Sequence, residues 1–312
     1  MLHVEPIPRV IAARSIPGVR PLSTRGLQHA LERRRFFEHA TPEEIIRADE
    51  RERRNKLWAL GGSVGGSWGG RMATYAATFR PDKVGGCLRF GHVTSASDAA
   101  SYPDRTGNGH VFVQGTAGER PTFDAAGLNG RPALVFDGVD DRITCITSFA
   151  QTLMGGTNAP STQILVLRVI TDDVISSFFS CYRSNTSLPR WAIKQHSVGA
   201  GVWYFFKRDD ANSANPEPTG GFVGTEPHVL VVITESDGGL RVYDNGELVE
   251  LNRDNVITGA LTLDQAQFGA DRTAAFGNFA LAADAFFTRA ATDTERLYLE
   301  RGYAARYGLL VS

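Results

Sequence analysis

The segment Gly130–Ile143, GRPALVFDGVDDRI, has the pattern of a half-buried β-strand that ends in three aspartates. Leu134 and Phe136 lie two positions apart, with Asp137 on the opposite face, and this period of two is typical of a strand. Gly138 then ends the strand, because Asp-Gly pairs tolerate the unusual backbone angles of turns. The segment therefore predicts one strand of a β fold and a turn at its end.

The aspartates of this segment allow two interpretations. They are turn formers, or they hold a hard cation, since carboxylate oxygens are the ligands that Ca²⁺ prefers. Asp140 and Asp141 are the candidate calcium ligands, and the other donors cannot be located from the sequence. No other cofactor is expected.

Further β-prone runs follow along the chain, separated by turn residues, which is typical of an antiparallel sandwich. In LRVYDNGELVEL the pair Asn245-Gly246 supplies the positive φ angles of a type I′ hairpin turn. A capping box at Thr292–Glu295 predicts a final helix that stops at Gly308. The eleven predicted strands are Val111–Val113, Pro132–Asp137, Gln163–Thr171, Ser176–Tyr182, Arg190–Gln195, Val202–Arg208, His228–Thr234, Leu240–Asp244, Glu247–Leu251, Ala266–Phe268 and Phe279–Phe287.

The N-terminal part of the chain differs in composition from this β region. Residues 1–60 contain 12 Lys and Arg against 8 Asp and Glu, whereas the whole chain has a net charge of −1. Prolines predict an extended stretch over residues 1–23, and Thr41 is the predicted N-cap of a helix. GGSVGGSWGG at residues 61–70 breaks regular structure, so we predict an extended and helical arm over 1–70 and a sandwich over 71–312.

Three wider expectations follow from the sequence. The longest apolar runs fall short of the roughly 18 residues that a membrane helix needs, so no membrane insertion is expected. The polar helix RADERERRNK, in which both charge signs alternate, is predicted to face solvent rather than nucleic acid. The three cysteines, Cys87, Cys145 and Cys181, are widely spaced and odd in number, which predicts buried thiols rather than a disulfide framework.

Two blocks of sequence carry a family resemblance. TGNGHVFVQGTAGERPTFDAAGLNGRPALVFDGVDDRI and, some 140 residues later, FFTRAATDTERLYLERGYAARYGL resemble the laminin-G-like branch of the concanavalin A-like lectin/glucanase superfamily over Lys83–Leu310. The resemblance implies a jelly-roll sandwich of two antiparallel sheets. It also implies that Asp137 bonds turn amides at the rim of a core strand. Ala290-Ala291 and Gly302-Tyr303 depart from the family pattern in the final helix.

An enzymatic function is not expected. Glycosidases of this superfamily place paired carboxylates in a Glu-x-Asp-x-x-Glu motif. In ESDGGL, Glu235 and Asp237 match, but Leu240 stands where the second glutamate would be. A glycoside hydrolase is therefore the least favoured alternative.

Carbohydrate binding is the function that the aromatic strands favour. A sugar face stacks on an aromatic ring while its hydroxyl groups bond to polar neighbours. Residues of RWAIKQH and GVWYFFKRDD could supply such a platform, although the two tryptophans could instead fill the core. The candidate residues are Trp191, Trp203, Tyr204, Lys207 and Arg208.

The arm favours a structural role in a virion. The first 22 residues contain no secretory signal, so we expect synthesis in a host cytoplasm and localisation to a phage particle. The arm would anchor the sandwich to a capsid or tail protein as a decoration, head-fibre or tail-associated protein, or to itself in a homo-oligomer, and the lectin-like domain would bind host-surface glycans. A free-standing carbohydrate-binding protein is the alternative. The predicted assembly residues are Arg33, Arg34, Arg35, Phe36, Phe37, Ile45, Ile46, Leu57, Trp58 and Leu60.

Overall fold

The structure is a computed structural model that describes residues 79–171, 175–186, 190–196, 202–211, 219–252, 259–272 and 275–311. The predicted arm, its assembly residues and the glycine-rich boundary all lie outside the described residues. In the described part, neither α-helix has the length and apolar character needed to span a membrane.

Sixteen strands and two α-helices lie within the described residues. They are β1 (Cys87–His92), β2 (Ser101–Tyr102), β3 (Phe112–Val113), β4 (Thr122–Leu128), β5 (Arg131–Asp137), β6 (Ile143–Cys145), α1 (Phe149–Met154), β7 (Ser161–Val169), β8 (Ser176–Tyr182), β9 (Arg190–His196), β10 (Val202–Arg208), β11 (Thr219–Phe222), β12 (Pro227–Thr234), β13 (Leu240–Asp244), β14 (Glu247–Asn252), β15 (Gln265–Phe268), β16 (Asn278–Phe287) and α2 (Asp293–Tyr307).

The strands form two antiparallel sheets. In the first sheet the order is β14-β13-β12-β7-β16-β5-β4, and β1 pairs with the C-terminal half of β16 beside β5. In the second sheet the order is β11-β10-β9-β8-β15-β6-β3-β2. Apolar side chains from both sheets share one buried cluster, so the sheets pack face to face. The predicted mainly β sandwich with a C-terminal helix is confirmed.

The central strands of the first sheet, β7, β12 and β16, are buried on both faces, which explains their long apolar runs. On β12, Leu230 and Val232 face the second sheet, whereas Val229, Val231 and Ile233 belong to a separate cluster that includes α2. Strands covered on both faces read as continuous apolar runs rather than as alternating patterns. On β16 the face toward α2 carries small residues, Ala280, Ala282, Ala283 and Ala285 among them.

Helix α2 is fixed to the first sheet by two tyrosines. The hydroxyl groups of Tyr303 and Tyr307 donate hydrogen bonds to the carbonyl oxygens of Asp284 and Ala282, each at 3.0 Å. The predicted capping box is present, since the Glu295 amide donates to Thr292 Oγ1. These bonds hold the helix against β16 and satisfy polar groups that the helix buries.

Gly302, which departs from the family pattern, allows close packing of α2. A Cβ atom at this position would lie 2.1 Å from the ring of Phe79. Phe79 also contacts Tyr303 edge to face, with ring centroids 4.9 Å apart. The glycine therefore makes room for an aromatic ring from the segment that precedes β1.

All eleven predicted strands are present, with ends shifted by no more than two residues. Five further strands, β1, β2, β4, β6 and β11, were not predicted. The Asn245-Gly246 hairpin joins β13 and β14 with φ angles of 49° and 82°. The three thiols are free; Cys145 and Cys181 are buried as predicted, whereas Cys87 is half-buried.

Candidate functional site

Strands β9 and β10 were predicted to carry the sugar platform, and their alternation decides which side chains are accessible. Successive side chains of a strand point to opposite faces of the sheet. Trp203 and Phe205 on β10 belong to the buried cluster between the sheets, together with Trp191 and Ile193 on β9. The residues between them, including Tyr204 and Arg208, therefore lie on the outer face of the second sheet.

The two tryptophans cannot form a sugar platform, which corrects that part of the prediction. Both are 0% exposed. The indole N–H of Trp191 donates to Gln163 Oε1 at 3.1 Å, and that of Trp203 donates to Asp244 Oδ2 at 3.0 Å. Both acceptors belong to the first sheet, so each indole supports the core and links the two sheets.

Lys207 is also not a surface residue. It shares the inward face of β10 with Trp203 and is 0% exposed, and its Nζ donates to Asn158 Oδ1 at 3.0 Å. Burial lowers the pKa of this lysine to about 8. Lys207 is therefore a buried structural residue, and of the five predicted residues only Tyr204 and Arg208 remain on the outer face.

The outer face of β9 and β10 brings together a group that we name the Arg190–Arg208 cluster. Its members are Arg190, Lys194, Phe206, Arg208 and, from the segment after β15, Asp271. The pairing register places Arg190 directly opposite Arg208. Like charges directly opposite across strands destabilise a sheet, so this pair needs compensation from another charge.

Aromatic and ionic contacts offset only part of the repulsion between the positive charges of the cluster. The guanidinium carbon of Arg190 lies 4.3 Å from the Phe206 ring centroid, and that of Arg208 lies 5.1 Å from it. Asp271 accepts a hydrogen bond from Arg190 at 3.1 Å and also contacts Lys194 Nζ. Arg208 has no ion-pair partner among the described residues, and its Nε atom is buried without a hydrogen-bond partner there.

The net charge of the Arg190–Arg208 cluster is positive, because three cations share one carboxylate. Arg190 keeps 25% of its side-chain surface exposed, and Arg208 is also partly exposed. Phe206, in contrast, is only 3% exposed, so its ring orients the guanidinium groups and offers little free surface itself. The cluster is suited to presenting N–H donors to an anion.

The segment between β15 and β16 covers part of the same outer face. Ser180 Oγ donates to the carbonyl of Ala270, and Gln267 Nε2 donates to the carbonyl of Arg272. The Arg272 guanidinium carbon lies 5.8 Å from the ring centroid of Tyr182. Arg272 therefore adds a further cation to this face near the Arg190–Arg208 cluster.

Comparison with known proteins shows that this chain is similar in fold to several solved structures. No protein-family model matches the sequence, and no curated protein matches it. Similar solved structures include Trypanosoma rangeli sialidase in complex with the inhibitor DANA, with a TM-score of 0.52 and 10% identity over 75% of this chain and 37% of that one. The binding domain of botulinum neurotoxin serotype D has a TM-score of 0.54 and 11% identity over 73% and 53%.

A third similar structure is the binding domain of Paraclostridial Mosquitocidal Protein 1, with a TM-score of 0.52 and 13% identity over 72% of this chain and 53% of that one. What is shared is a β-sandwich. The chain spans about a third to a half of the length of these structures. At this level of identity the comparison carries over no binding or catalytic residue.

The aspartates after β5 form a hydrogen-bonded turn. Asp137 Oδ1 accepts from the amide of Val139 at 2.8 Å, and Asp141 Oδ2 accepts from the amide of Asp137 at 2.9 Å. One ligand atom of each of Asp137, Asp140 and Asp141 lies within 4.8 Å of the others, which one cation with Ca–O distances of roughly 2.3–2.6 Å could bridge. Two of these carboxylates already serve the turn, and calcium binding at Asp140 and Asp141 stays a prediction.

Changing Asp141 to asparagine is expected to stabilise the fold at neutral pH and not in acid. Burial raises the pKa of Asp141 to about 6, so its ionised form is disfavoured in the folded state. Stability therefore decreases as the pH rises from the unfolded value near 4 to about 6, and Asp141→Asn removes this loss while keeping an oxygen acceptor for Asp137. Urea unfolding of both proteins at pH 4 and pH 7.5 checks this.

A calcium titration accompanies that measurement. If calcium binds, it raises the melting temperature of the parent protein at pH 7.5, and Asp140→Asn weakens the effect. A difference in unfolding free energy between Asp141→Asn and the parent that is the same at pH 4 and pH 7.5 would contradict the proposed ionisation of Asp141.

The partial glycosidase motif lies in the turn between β12 and β13. Glu235 accepts hydrogen bonds from Arg241 at 2.8 and 2.6 Å, and Asp237 Oδ1 accepts from the amide of Gly239. Leu240, at the position of the missing carboxylate, is fully buried. Both acidic residues of the motif thus have structural partners: Glu235 belongs to an ion pair, and Asp237 stabilises the turn.

Proposed function

We propose that this protein is a non-catalytic glycan-binding β-sandwich and that the Arg190–Arg208 cluster binds the acidic group of an anionic sugar. The observation that carries the proposal is the cross-strand pair of Arg190 and Arg208, which within the described residues has one carboxylate partner, Asp271, on the side of Arg190. A carboxylate or sulfate between the two guanidinium groups would accept charge-assisted hydrogen bonds from both. It would also relieve their repulsion.

Tyr204, which is partly exposed beside the cluster, is suited to contact the rest of a sugar. Tyr204 lies directly opposite Lys194 on the outer face, and its ring stacks near that of Phe206, with centroids 6.4 Å apart. Binding proteins and a sialidase occur among the structures of similar fold, which makes glycan recognition a reasonable use of this sandwich. The laminin-G-like assignment within the concanavalin A-like superfamily belongs to the same proposal.

A screen of immobilised glycans with the full chain tests the proposal. We expect binding to carboxylated or sulfated oligosaccharides, none to neutral ones, and weaker binding as salt increases, because ion pairs at the surface are screened. Carboxyl-reduced and desulfated forms of each positive glycan distinguish which anion is recognised. Equal binding to neutral glycans, or no binding to any acidic glycan, would contradict the proposal.

Absence of catalysis is part of the same proposal. Glu235 pairs with Arg241, and no second carboxylate stands at Leu240, so we expect no release of reducing sugar from the glycans that bind. Release that disappears in Glu235→Gln would refute this part and would favour the glycoside hydrolase alternative.

We also propose the virion role that the sequence predicts, with residues 1–70 anchoring the sandwich to a capsid or tail protein or to further copies of the chain. Support comes from the apolar and basic side chains of residues 33–60, which need a partner surface to be buried. Deleting residues 1–60 is expected to leave a folded sandwich that no longer joins its particle or oligomer. A truncated protein that sediments and incorporates like the full chain would exclude this role.

A further inference from the structure

A second site lies away from the Arg190–Arg208 cluster, on the first sheet. A cavity of about 220 Å³ lies between the end of β1, the start of β5 and the C-terminal turn of α2. Its lining includes His92, Thr94, Arg131, Arg306 and Tyr307, and none of its seven lining residues is acidic. The volume is well above that of one water and below that of a typical drug-sized pocket, so it suits a small ligand or one end of a larger one.

Three arginines surround this cavity. Arg131 and Arg306 line it, and neither side chain has an ion-pair or hydrogen-bond partner among the described residues. Arg105 reaches the rim, where its guanidinium donates to Thr94 Oγ1 at 3.0 Å and to the His92 carbonyl at 3.4 Å. Asp98, an acidic residue that contacts this lining, accepts hydrogen bonds from the amides of Thr94 and Ser95 and is only 4% exposed.

The arginines around the cavity act electrostatically on two lining residues. The pKa of His92 is lowered to about 3, chiefly by burial and also by the charges of Arg306 and Arg105. Burial raises the pKa of Tyr307 to about 12; Arg306, Arg131 and Arg105 oppose this rise, whereas the charge of Asp284 adds to it. His92 is therefore neutral, and its buried Nδ1 atom has no hydrogen-bond partner in the described part of the chain.

We propose that this cavity binds a small oxyanion of the phosphate type, either free or as the terminal group of a larger molecule. Guanidinium groups recognise such anions through paired, charge-assisted N–H···O bonds. Arg131 and Arg306 line this cavity, Arg105 lies at its rim, and the lining contains no carboxylate. A neutral His92 can donate one further hydrogen bond. The proposal does not depend on glycan binding at the Arg190–Arg208 cluster.

Arg306 also has a role in helix stability, and the test must distinguish that role from anion binding. It lies in the last turn of α2, which ends at Gly308 with a φ angle of 65°, and a cation at that position stabilises a helix through its dipole. If this were its only role, Arg306→Gln would lower the melting temperature without changing the response to an anion.

The test is thermal unfolding of the full chain with increasing inorganic phosphate, at an ionic strength held constant with sodium chloride. Phosphate is expected to raise the melting temperature in a saturable way, since a ligand that binds the folded state stabilises it. The double variant Arg131→Gln/Arg306→Gln should lose this response. The matched control Arg301→Gln, at an exposed position of the same helix, should keep it.

Two additional arms make the result decisive. A sugar monophosphate that binds more tightly than inorganic phosphate would identify the anion as a terminal group, whereas equal affinity would identify the free ion. If circular dichroism shows that the double variant is unfolded, the single variant Arg131→Gln, at an exposed position of β5, replaces it. No response in the parent protein, or an equal response in the arginine variant, would overturn the proposal.

Discussion

Replacing Arg89 by methionine is expected to reduce the free energy of unfolding by about 3–5 kcal/mol, the usual cost of removing one partner from a buried ion pair. Arg89 on β1 and Asp284 on β16 are both 0% exposed, and their side chains lie 3.1 Å apart. The variant leaves a buried carboxylate without its cation. Burial already raises the pKa of Asp284, so part of the loss will appear as protonation of this residue.

The surroundings of Arg89 explain why the loss is large. Its guanidinium also donates to the carbonyl of His110 at 2.6 Å and lies 4.8 Å from the ring centroids of Tyr102 and Phe112. A Cβ atom at Gly91 would lie 2.7 Å from the same guanidinium, so the group fills its space. The arginine therefore joins the two sheets at the end of the sandwich where β1 lies.

Urea unfolding of three proteins measures this effect. The parent, Arg89→Met and the double variant Arg89→Met/Asp284→Leu are compared, and the double variant should recover most of the loss because both charges are removed. A loss below about 1 kcal/mol in Arg89→Met, at the level of an exposed ion pair, would contradict the assignment of a buried pair.

Replacing His228 by phenylalanine is expected to cost about 3 kcal/mol at pH 6 and much less at high pH, again because a buried charge loses its partner. Nδ1 of His228 lies 2.9 Å from both carboxylate oxygens of Asp244, and Nε2 lies 3.1 Å from the carbonyl of Gly224. Both neighbours accept hydrogen bonds, so both ring nitrogens carry protons and the imidazole is charged.

The direction of the pH dependence follows from the pKa of His228. Burial lowers this pKa, but the hydrogen bond and charge of Asp244, with the Gly224 carbonyl, outweigh burial and raise it above 6.5. The stabilisation is therefore complete below about pH 6.5 and is lost as the pH rises through the folded-state pKa. His228→Phe should show a flatter stability profile over that range.

Stability of both proteins at several pH values between 6 and 9, measured by urea unfolding, checks this second prediction. The parent protein should lose stability with rising pH and approach the variant. Parallel profiles for parent and variant would show that His228 does not titrate as assigned.

Eleven of the sixteen strands in the described residues could be predicted from the sequence. Runs of apolar residues, or their alternation with polar ones, and the turn residues between them mark these strands. The sequence did not predict β1, CLRFGH, since Arg89 interrupts its apolar run. That arginine is tolerated only because Asp284, 195 residues later, pairs with it. Likewise β11 contains TGGF, and glycines weaken strand patterns. Of these two strands, β1 depends on a partner far along the chain, whereas β11 pairs with the preceding strand β10.

The candidate site was predicted only in part, for a similar reason. Arg208 and Tyr204 were identified, but Trp203 and Tyr204 were assigned to one surface although neighbours on a strand face opposite ways. Arg190 and Lys194 were missed, and a period-two alignment of RWAIKQH would have placed both on one face. Asp271 could not be found, because it joins the cluster from a distant segment of the chain.

The most direct test of the proposed function is the affinity of the best-binding acidic oligosaccharide for Arg208→Gln, measured by isothermal titration. The control is Arg168→Gln, which removes the same charge from the outer face of the first sheet. We expect Arg208→Gln to bind about 10-fold or more weakly, since hydrogen bonds to charged groups contribute roughly 1.5–3 kcal/mol, and Arg168→Gln to bind like the parent. Equal affinity in all three proteins would contradict glycan recognition by the Arg190–Arg208 cluster.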